Sequence, residues 1–249
     1  MKLKICCSIG NLKEFSFEEY PFEGYEFKTF GKGFSPNIIL LLKLKEMFKG
    51  KDLSIHSQLS RIFSCNEKGF PEFSEAEMNI LRSEIIISKI IGAKQINFHM
   101  KETEFTNDEI NKFNEIIELA NKNGIEMVYE NHVCSDEVIF RVLKDFPRVN
   151  FCLDIGHLNV ATHQGKFKMD FETFVEKVKS RLVHIHLHNN YGEKDEHNSL
   201  DKGNFDWKKV LDELKKGHLR KIIIENKTKE DSLKSKKLLE EYLRSIDEF

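Results

Sequence analysis

The strongest constraint on this chain is a regular alternation of two kinds of segment along its whole length. Short runs rich in Ile, Val, Leu and Phe occupy 3–9, 24–30, 53–56, 95–99, 126–131, 149–155, 182–188 and 221–225. Their length and β-branched content mark them as buried strands. Longer amphipathic stretches lie between them at 36–48, 74–91, 107–123, 135–144, 171–180, 206–216 and 231–245. In 107–123, Ile110, Phe113, Ile116, Ile117 and Ala120 recur at helical spacing, with Asn107 placed to cap the start and Gly124 to stop it. Ser74 followed by Glu77 is a second capping signature. Strands alternating with helices build a parallel sheet, and eight of them predict one closed (β/α)8 TIM barrel. The rival is an open doubly wound sheet. That fold usually carries a Gly-rich turn after its first strand, whereas Cys7-Ser8-Ile9-Gly10-Asn11 holds one glycine. The first link, 11–23, has little helical pattern and predicts an irregular crossover. No Pro/Gly/Ser linker interrupts the alternation, so residues 1–249 read as a single α/β domain.

Composition removes several functional classes. The 39 basic and 41 acidic side chains leave a formal charge of -2, which argues against a polybasic nucleic-acid or membrane-surface protein. No apolar run approaches the ~18 residues needed to cross a bilayer, so no membrane partner is expected. The Lys-flanked start at 1–7 is too short for a signal-peptide core and reads as the first strand. Five cysteines without a CxxC pair fit a reduced, cytoplasmic setting and no zinc–thiolate site.

The chemistry sits where the strands end. Successive strands terminate in His56, His99, Glu130, Asp154 with His157 three residues on, His186, and Glu225. In a barrel these ends converge on one face, where active sites of this architecture lie. Each histidine alone is most simply a hydrogen-bonded structural residue, and a carboxylate ending a strand can cap the next helix. Glu130 and Glu225 resist that reading, because each follows three apolar or aromatic residues and should face the barrel mouth. Several buried carboxylates with no Arg or Lys beside them repel one another unless a cation neutralises them. Imidazole and carboxylate without thiolate predict a divalent ion, zinc or manganese. In 184–197 the period of a strand puts His184, His186 and His188 on one face. Three inward histidines exceed what one ion needs, so His188 is expected to bind substrate or orient a ligand. Asp195-Glu196-His197 adds two ligand types on a loop, which reads equally as an exposed polar turn.

Tyr129-Glu130-Asn131, Leu153-Asp154-Ile155-Gly156-His157, His186-Leu187-His188-Asn189, Asp195-Glu196-His197 and Ile224-Glu225 stand in the order and spacing of the xylose isomerase-like TIM-barrel superfamily, which this chain resembles over nearly its whole length. That superfamily holds sugar and sugar-phosphate isomerases and epimerases and the endonuclease IV nucleases. The resemblance implies a divalent metal on Glu130, Asp154, His186 and Glu225. It implies that His157 binds substrate in an isomerase or metal in a nuclease. It also places His56, His99, Asp195 and His197 where the nuclease branch keeps its remaining ligands for three zinc ions. Departures from the common pattern are Asn189 for Asp, Met100-Lys101 for Pro-Gly, and Leu200-Asp201-Lys202-Gly203 for Leu-Gly-x-Gly.

Three functions compete. The first is an isomerase or epimerase of a small polyhydroxylated carbonyl compound, with one ion and with Glu130 and Glu225 moving the proton through a metal-stabilised enediolate. Lys101, Arg61 or Lys227 would meet a phosphate on that substrate. The second is an endonuclease IV-like abasic-site nuclease with up to three zinc ions, the only reading that requires a nucleic-acid partner. The near-neutral charge weighs against it. The long connection 57–73, with Arg61, Phe63 and Phe70, would serve as a lid in one or a DNA wedge in the other. The third is a binding protein that kept the barrel but lost turnover, which the intact glutamate pair opposes. The number of ions separates the first two.

Overall fold

The structure, a computed structural model, describes residues 3–9, 20–28, 38–59, 75–215 and 218–246. Among these the strands are β1 (Lys4–Ile9), β2 (Gly24–Lys28), β3 (Asp52–His56), β4 (Gln95–Phe98), β5 (Glu126–Glu130), β6 (Asn150–Asp154), β7 (Leu182–Leu187) and β8 (Lys221–Ile224). Each pairs in parallel with the next, and β1 pairs with β8, so the sheet closes. Closure rules out the open doubly wound arrangement. All strands then run the same way around the cylinder, and their C-terminal ends share one rim.

The helices are α1 (Ile38–Met47), α2 (Glu75–Ile91), α3 (Asn107–Lys122), α4 (Asp136–Asp145), α5 (Ile155–His163), α6 (Phe171–Val178), α7 (Trp207–Leu214) and α8 (Lys229–Ser245). Their starts follow from short polar side chains that accept a backbone N–H of the first turn: Ser135, Asp154, Asp170, Asp206 and Thr228. Each such cap contributes about 1 kcal/mol. Asn107 does not cap α3. Thr106 does, in a reciprocal box with Glu109, and Asn107 becomes the first helical residue. Gly124 does end α3, at φ +70°. Helix α5 is not foreseen by the sequence pattern, because Gly156, His157 and Asn159 break the amphipathic period. The segment is buried on every side from Ile155 to Ala161, so it has no polar face to reveal it.

Along each strand the apolar residues face the helices. Tyr25, Phe27, Leu53, Ile55, Ile96, Phe98, Met127, Tyr129, Phe151, Leu153, Ile185, Leu187, Ile222 and Ile224 join one continuous core with the helix faces. The alternate positions, turned into the cylinder, are largely polar: Glu26, Ser54, Asn97, Cys152, His184 and His186 are all buried. At the rim where the strands begin, Asp52 holds Lys4 at 2.6 Å and Lys221 at 3.2 Å, and Glu126 holds Arg220 at 2.5 Å. These pairs tie β1, β3, β5 and β8 together on the face away from the ligands.

Among the described residues no helix is long and apolar enough to cross a membrane. Cys6, Cys7, Cys134 and Cys152 are all buried. Cys65, Ser74, Arg61, Phe63, Phe70 and most of the links 11–23 and 57–73 lie outside the described residues.

Candidate metal centre

Glu130 closes β5, Asp154 closes β6, His186 lies in β7 and Glu225 follows β8. These four side chains are buried, and each offers a donor atom within 4.8 Å of the others. His56, at the end of β3, and His99, just past β4, form a second group with Glu130. His188, Asp195 and His197 form a third. His157 sits between the groups, with Nε2 3.2 Å from Asp195 and Nδ1 3.7 Å from Asp154. The ten residues nominated from the sequence as ligands or substrate-binding histidines therefore meet at one mouth, although they come from the ends of six strands and the connections that follow them.

Four of the histidines are held in one way. Nδ1 of His56 donates to the Ser57 carbonyl at 3.0 Å, that of His99 to Glu130 at 3.1 Å, that of His157 to Asn131 at 2.9 Å, and that of His197 to Glu225 at 2.8 Å. A carbonyl oxygen only accepts, so Nδ1 carries a proton and Nε2 is the nitrogen left to bind an ion. Those Nε2 atoms turn inward, His56 and His99 toward Glu130 at 3.4 and 3.7 Å, His157 and His197 toward Asp195 at 3.2 and 2.8 Å. Oriented imidazoles with a backbone partner behind and a carboxylate in front are how proteins present metal ligands.

The four-ligand group passes its own test of fit. Nδ1 of His186 is buried without a well-angled hydrogen bond, yet Glu225, Glu130 and Asp154 oxygens surround it at 2.7, 3.3 and 3.8 Å. A lone pair aimed into three carboxylates is a donor set for a divalent cation. Asp154 serves twice. Its Oδ1 caps α5 on the His157 N–H at 2.7 Å, and its Oδ2 faces His186 and His188. The helix-capping reading of that residue is thus true and compatible with ligation.

Protons take the place of cations when no ion is bound. Burial pushes His56 and His157 down, but the carboxylates around them outweigh it and raise them to about 9 and about 10. Burial dominates at His99, lowered to about 4. Burial also opposes ionisation of Glu130, yet His186 and His99 hold it well below the usual carboxylate range. An ion taken up there would have to displace the protons on His56 and His157, so the expected zinc affinity climbs with pH through neutrality toward 9. The linked stability has the opposite sign. Those raised values stabilise the ion-free fold fully below the unfolded histidine value of about 6.5, a contribution lost as pH rises through 9 to 10. Calorimetric titration with zinc at pH 7, in two buffers of different ionisation enthalpy, should register proton release; heats that do not depend on the buffer would contradict it.

The loop carrying Asp195 and His197 is not an exposed turn. Asn189 and Asn198 exchange backbone hydrogen bonds of 3.0 and 2.9 Å across its base. The Asn189 side chain accepts from the Asn190 and Phe205 N–H groups and donates to the Leu200 and Phe205 carbonyls. Aspartate could not donate, which gives the departure at Asn189 a physical reason. His197 takes φ +53°, a left-handed conformation that costs on the order of 1 kcal/mol and aims its ring at Asp195. Lys101 is already paired with Glu109 at 2.6 Å, so its expected phosphate contact is not free, while Lys227 remains exposed.

Gly156 lies against the His188 ring. A Cβ there would fall 1.9 Å from the His188 Cε1. Gly156→Ala should therefore displace His188 from Asp154 and loosen metal binding by more than about tenfold while leaving the far rim intact. Zinc affinity equal to wild type would show that His188 needs no fixed position.

Sequence reasoning missed the residues behind the ligands. Glu26 is buried in β2 with one oxygen 3.0 Å from His186 Nε2, and the buried Asn97 amide donates to Glu130. The available signal was a charged residue set between Tyr25 and Phe27, two aromatic positions of the opposite face. Asn131 ties the ends of β5 and β6, donating to the Asp154 carbonyl and accepting from its N–H. One layer deeper, Cys152 and His184 approach His186. Burial raises the thiol of Cys152, and Lys221 stands opposite His184 in register, so that layer is ill suited to a cation.

The family model described as a xylose isomerase-like TIM barrel matches residues 17–249. The chain belongs to that family. Within the xylose isomerase-like barrels, a D-tagatose 3-epimerase-like protein has a TM-score of 0.78 at 25% identity over 98% of both chains. A Thermus thermophilus protein soaked with zinc chloride shares the fold, with a TM-score of 0.77 at 16% identity over 98% of this chain and 99% of that one. An uncharacterized protein of Methanocaldococcus jannaschii is 33% identical over 159 residues, 59% of this chain and 52% of that protein. The chain spans about half the length of the curated relatives it matches.

Proposed function

We propose that this barrel is a multinuclear zinc enzyme that hydrolyses a phosphoester, in the manner of the endonuclease IV branch of its family. The observation that carries this reading is the shared anchoring of His56, His99, His157 and His197. Each donates from Nδ1 to a backbone carbonyl and turns Nε2 to Glu130 or Asp195, on either side of the four-ligand group. A single ion would leave most of that arrangement without purpose, and imidazole-rich ligation suits zinc better than manganese. When bound, the ions supply Lewis acidity toward a phosphoryl oxygen and a lowered pKa for attacking water. Glu130 would hold ions rather than move a proton: its Oε1 faces His186 and His99, and its Oε2 takes His56 and Asn97. With both oxygens engaged it is poorly placed to carry a proton. Asp195 serves His157 and His197 in the same way. Under this reading the partner is a nucleic-acid backbone.

A second reading, a one-ion sugar isomerase or epimerase, is favoured by the likeness to the D-tagatose 3-epimerase-like protein. Glu225 and Glu130 would then take and return the proton of a polyhydroxylated carbonyl substrate, with His157 and His188 holding it. Metal content per chain and two activity assays decide. About three ions with metal-dependent nicking of an abasic-site duplex, but not of an intact one, support hydrolysis. One ion with solvent deuterium entering a ketose at the epimerised carbon supports the second reading. In either case Glu225→Gln should abolish turnover in a folded protein, and retained turnover removes Glu225 from the mechanism.

A further inference from the structure

We infer that Glu26 is the positioning residue that fixes the tautomer and orientation of His186, and through it the central ion position; the inference rests on the metal reading above. His186 breaks the rule the other anchored histidines follow. Its Nδ1, not its Nε2, faces the ligand group, and its Nε2 has no backbone carbonyl behind it. In that place stands the Glu26 carboxylate, fully buried, with Oε1 3.0 Å from Nε2. The other Glu26 oxygen accepts the Ser54 hydroxyl at 2.9 Å, which steadies the carboxylate from the neighbouring strand. Glu26 Oε1 and His186 Nδ1 are both buried without a well-angled hydrogen bond, although the first lies 3.0 Å from His186 Nε2 and the second 2.7 Å from a Glu225 oxygen.

Asn97 offers the competing tautomer. Its amide nitrogen lies 3.3 Å from His186 Nε2 and would donate to a lone pair there, sending the proton to Nδ1 and blocking ligation. One N–H of that amide goes to Glu130, and the other stands farther from Nε2 than the Glu26 oxygen does. A carboxylate at 3.0 Å accepts a proton and offers none, so it selects Nε2–H and leaves Nδ1 free to bind. Barrel closure supplies the geometry: β2 and β7 are not neighbours in the sheet, and the inward Glu26 side chain reaches His186 through the lumen.

The test uses the full chain in wild-type, Glu26→Ala and Glu26→Gln forms. Zinc affinity is read by chelator competition, and the His186 tautomer by imidazole nitrogen resonances of the metal-free protein, followed upward in pH until that ring is singly protonated. Wild type should show Nε2–H at His186. Glu26→Ala should shift the proton toward Nδ1 and weaken zinc binding about 10–100-fold, the range for partners that orient a ligand. Glu26→Gln keeps an acceptor without its charge, so it should restore the tautomer and recover part of the affinity. A purely structural role would lower the melting temperature and leave the tautomer unmoved. Wild-type tautomer and affinity in a folded Glu26→Ala overturn the inference. If that variant does not fold, Glu26→Gln decides: a severalfold weaker zinc Kd supports the role, and an unchanged Kd refutes it. Failure of the wild-type chain itself to take up zinc would instead defeat the metal reading.

Discussion

Glu130→Ala is expected to strip more than one ion from the centre and to cut turnover by at least on the order of a thousandfold. The reason is its double membership. Glu130 belongs both to the group with His56 and His99 and to the group with Asp154, His186 and Glu225. Removing one preorganised electrostatic group from an active site already costs about 10²–10³ in rate. Here the same change also opens two candidate ion positions and removes the carboxylate that the inward Nε2 atoms of His56 and His99 face. Glu225→Gln, by contrast, touches one group, so it should lose activity without losing the His56–His99 ion. Elemental analysis of the two variants, beside their kcat/KM values, checks the distinction. A Glu130→Ala protein that retains its full metal complement would show that the carboxylate is not shared.

Removing the metal should lower the melting temperature by about 10 °C. Ligands that bind only the folded state stabilise it by about 4 kcal/mol when present at a thousand times their Kd. For a domain of this size each kcal/mol moves the melting point by roughly 2–4 °C. The ligands come from β3, the β4 end, β5, β6, β7 and the β8 end, so bound ions cross-link most of the cylinder at its mouth. The ion-free protein is not left with bare charges, because His56 and His157 are held protonated beside Glu130 and Asp195. That compensation should keep the metal-free fold intact and confine the loss to a shift of the transition. Calorimetric scans before and after chelation, with zinc restored in a third, measure it. An unchanged melting point would mean that these side chains are satisfied by one another.

Much of the architecture was legible because it is written locally. Runs such as 221–225 and 126–131 are too short and too apolar to be anything but buried strands, and their spacing forces parallel crossovers. The polar residue ending each run announced the mouth. What stayed hidden was either non-local or concealed by burial. Helix α5 has no amphipathic face because both of its sides are covered. Thr106 took the cap from Asn107 because only Thr106 has Glu109 three positions on to close the box. Glu26 looked like an ordinary strand charge until barrel closure brought it to His186 of β7 through the lumen. The loop at 195–197 could be judged only once Asn189 and Asn198 had paired to fold it inward.

By itself, the amino-acid order determined the alternation of strand and helix, the closed cylinder, and the kinds of donor atom at its rim, because hydropathy period and residue type are properties of neighbours in the chain. Only the folded cylinder decided which nitrogen of each histidine faces inward, that Glu130 serves two groups, and that Glu26 stands behind His186. Those depend on distances between residues some thirty to one hundred and sixty positions apart, set by strand register and barrel closure to within a few tenths of an ångström.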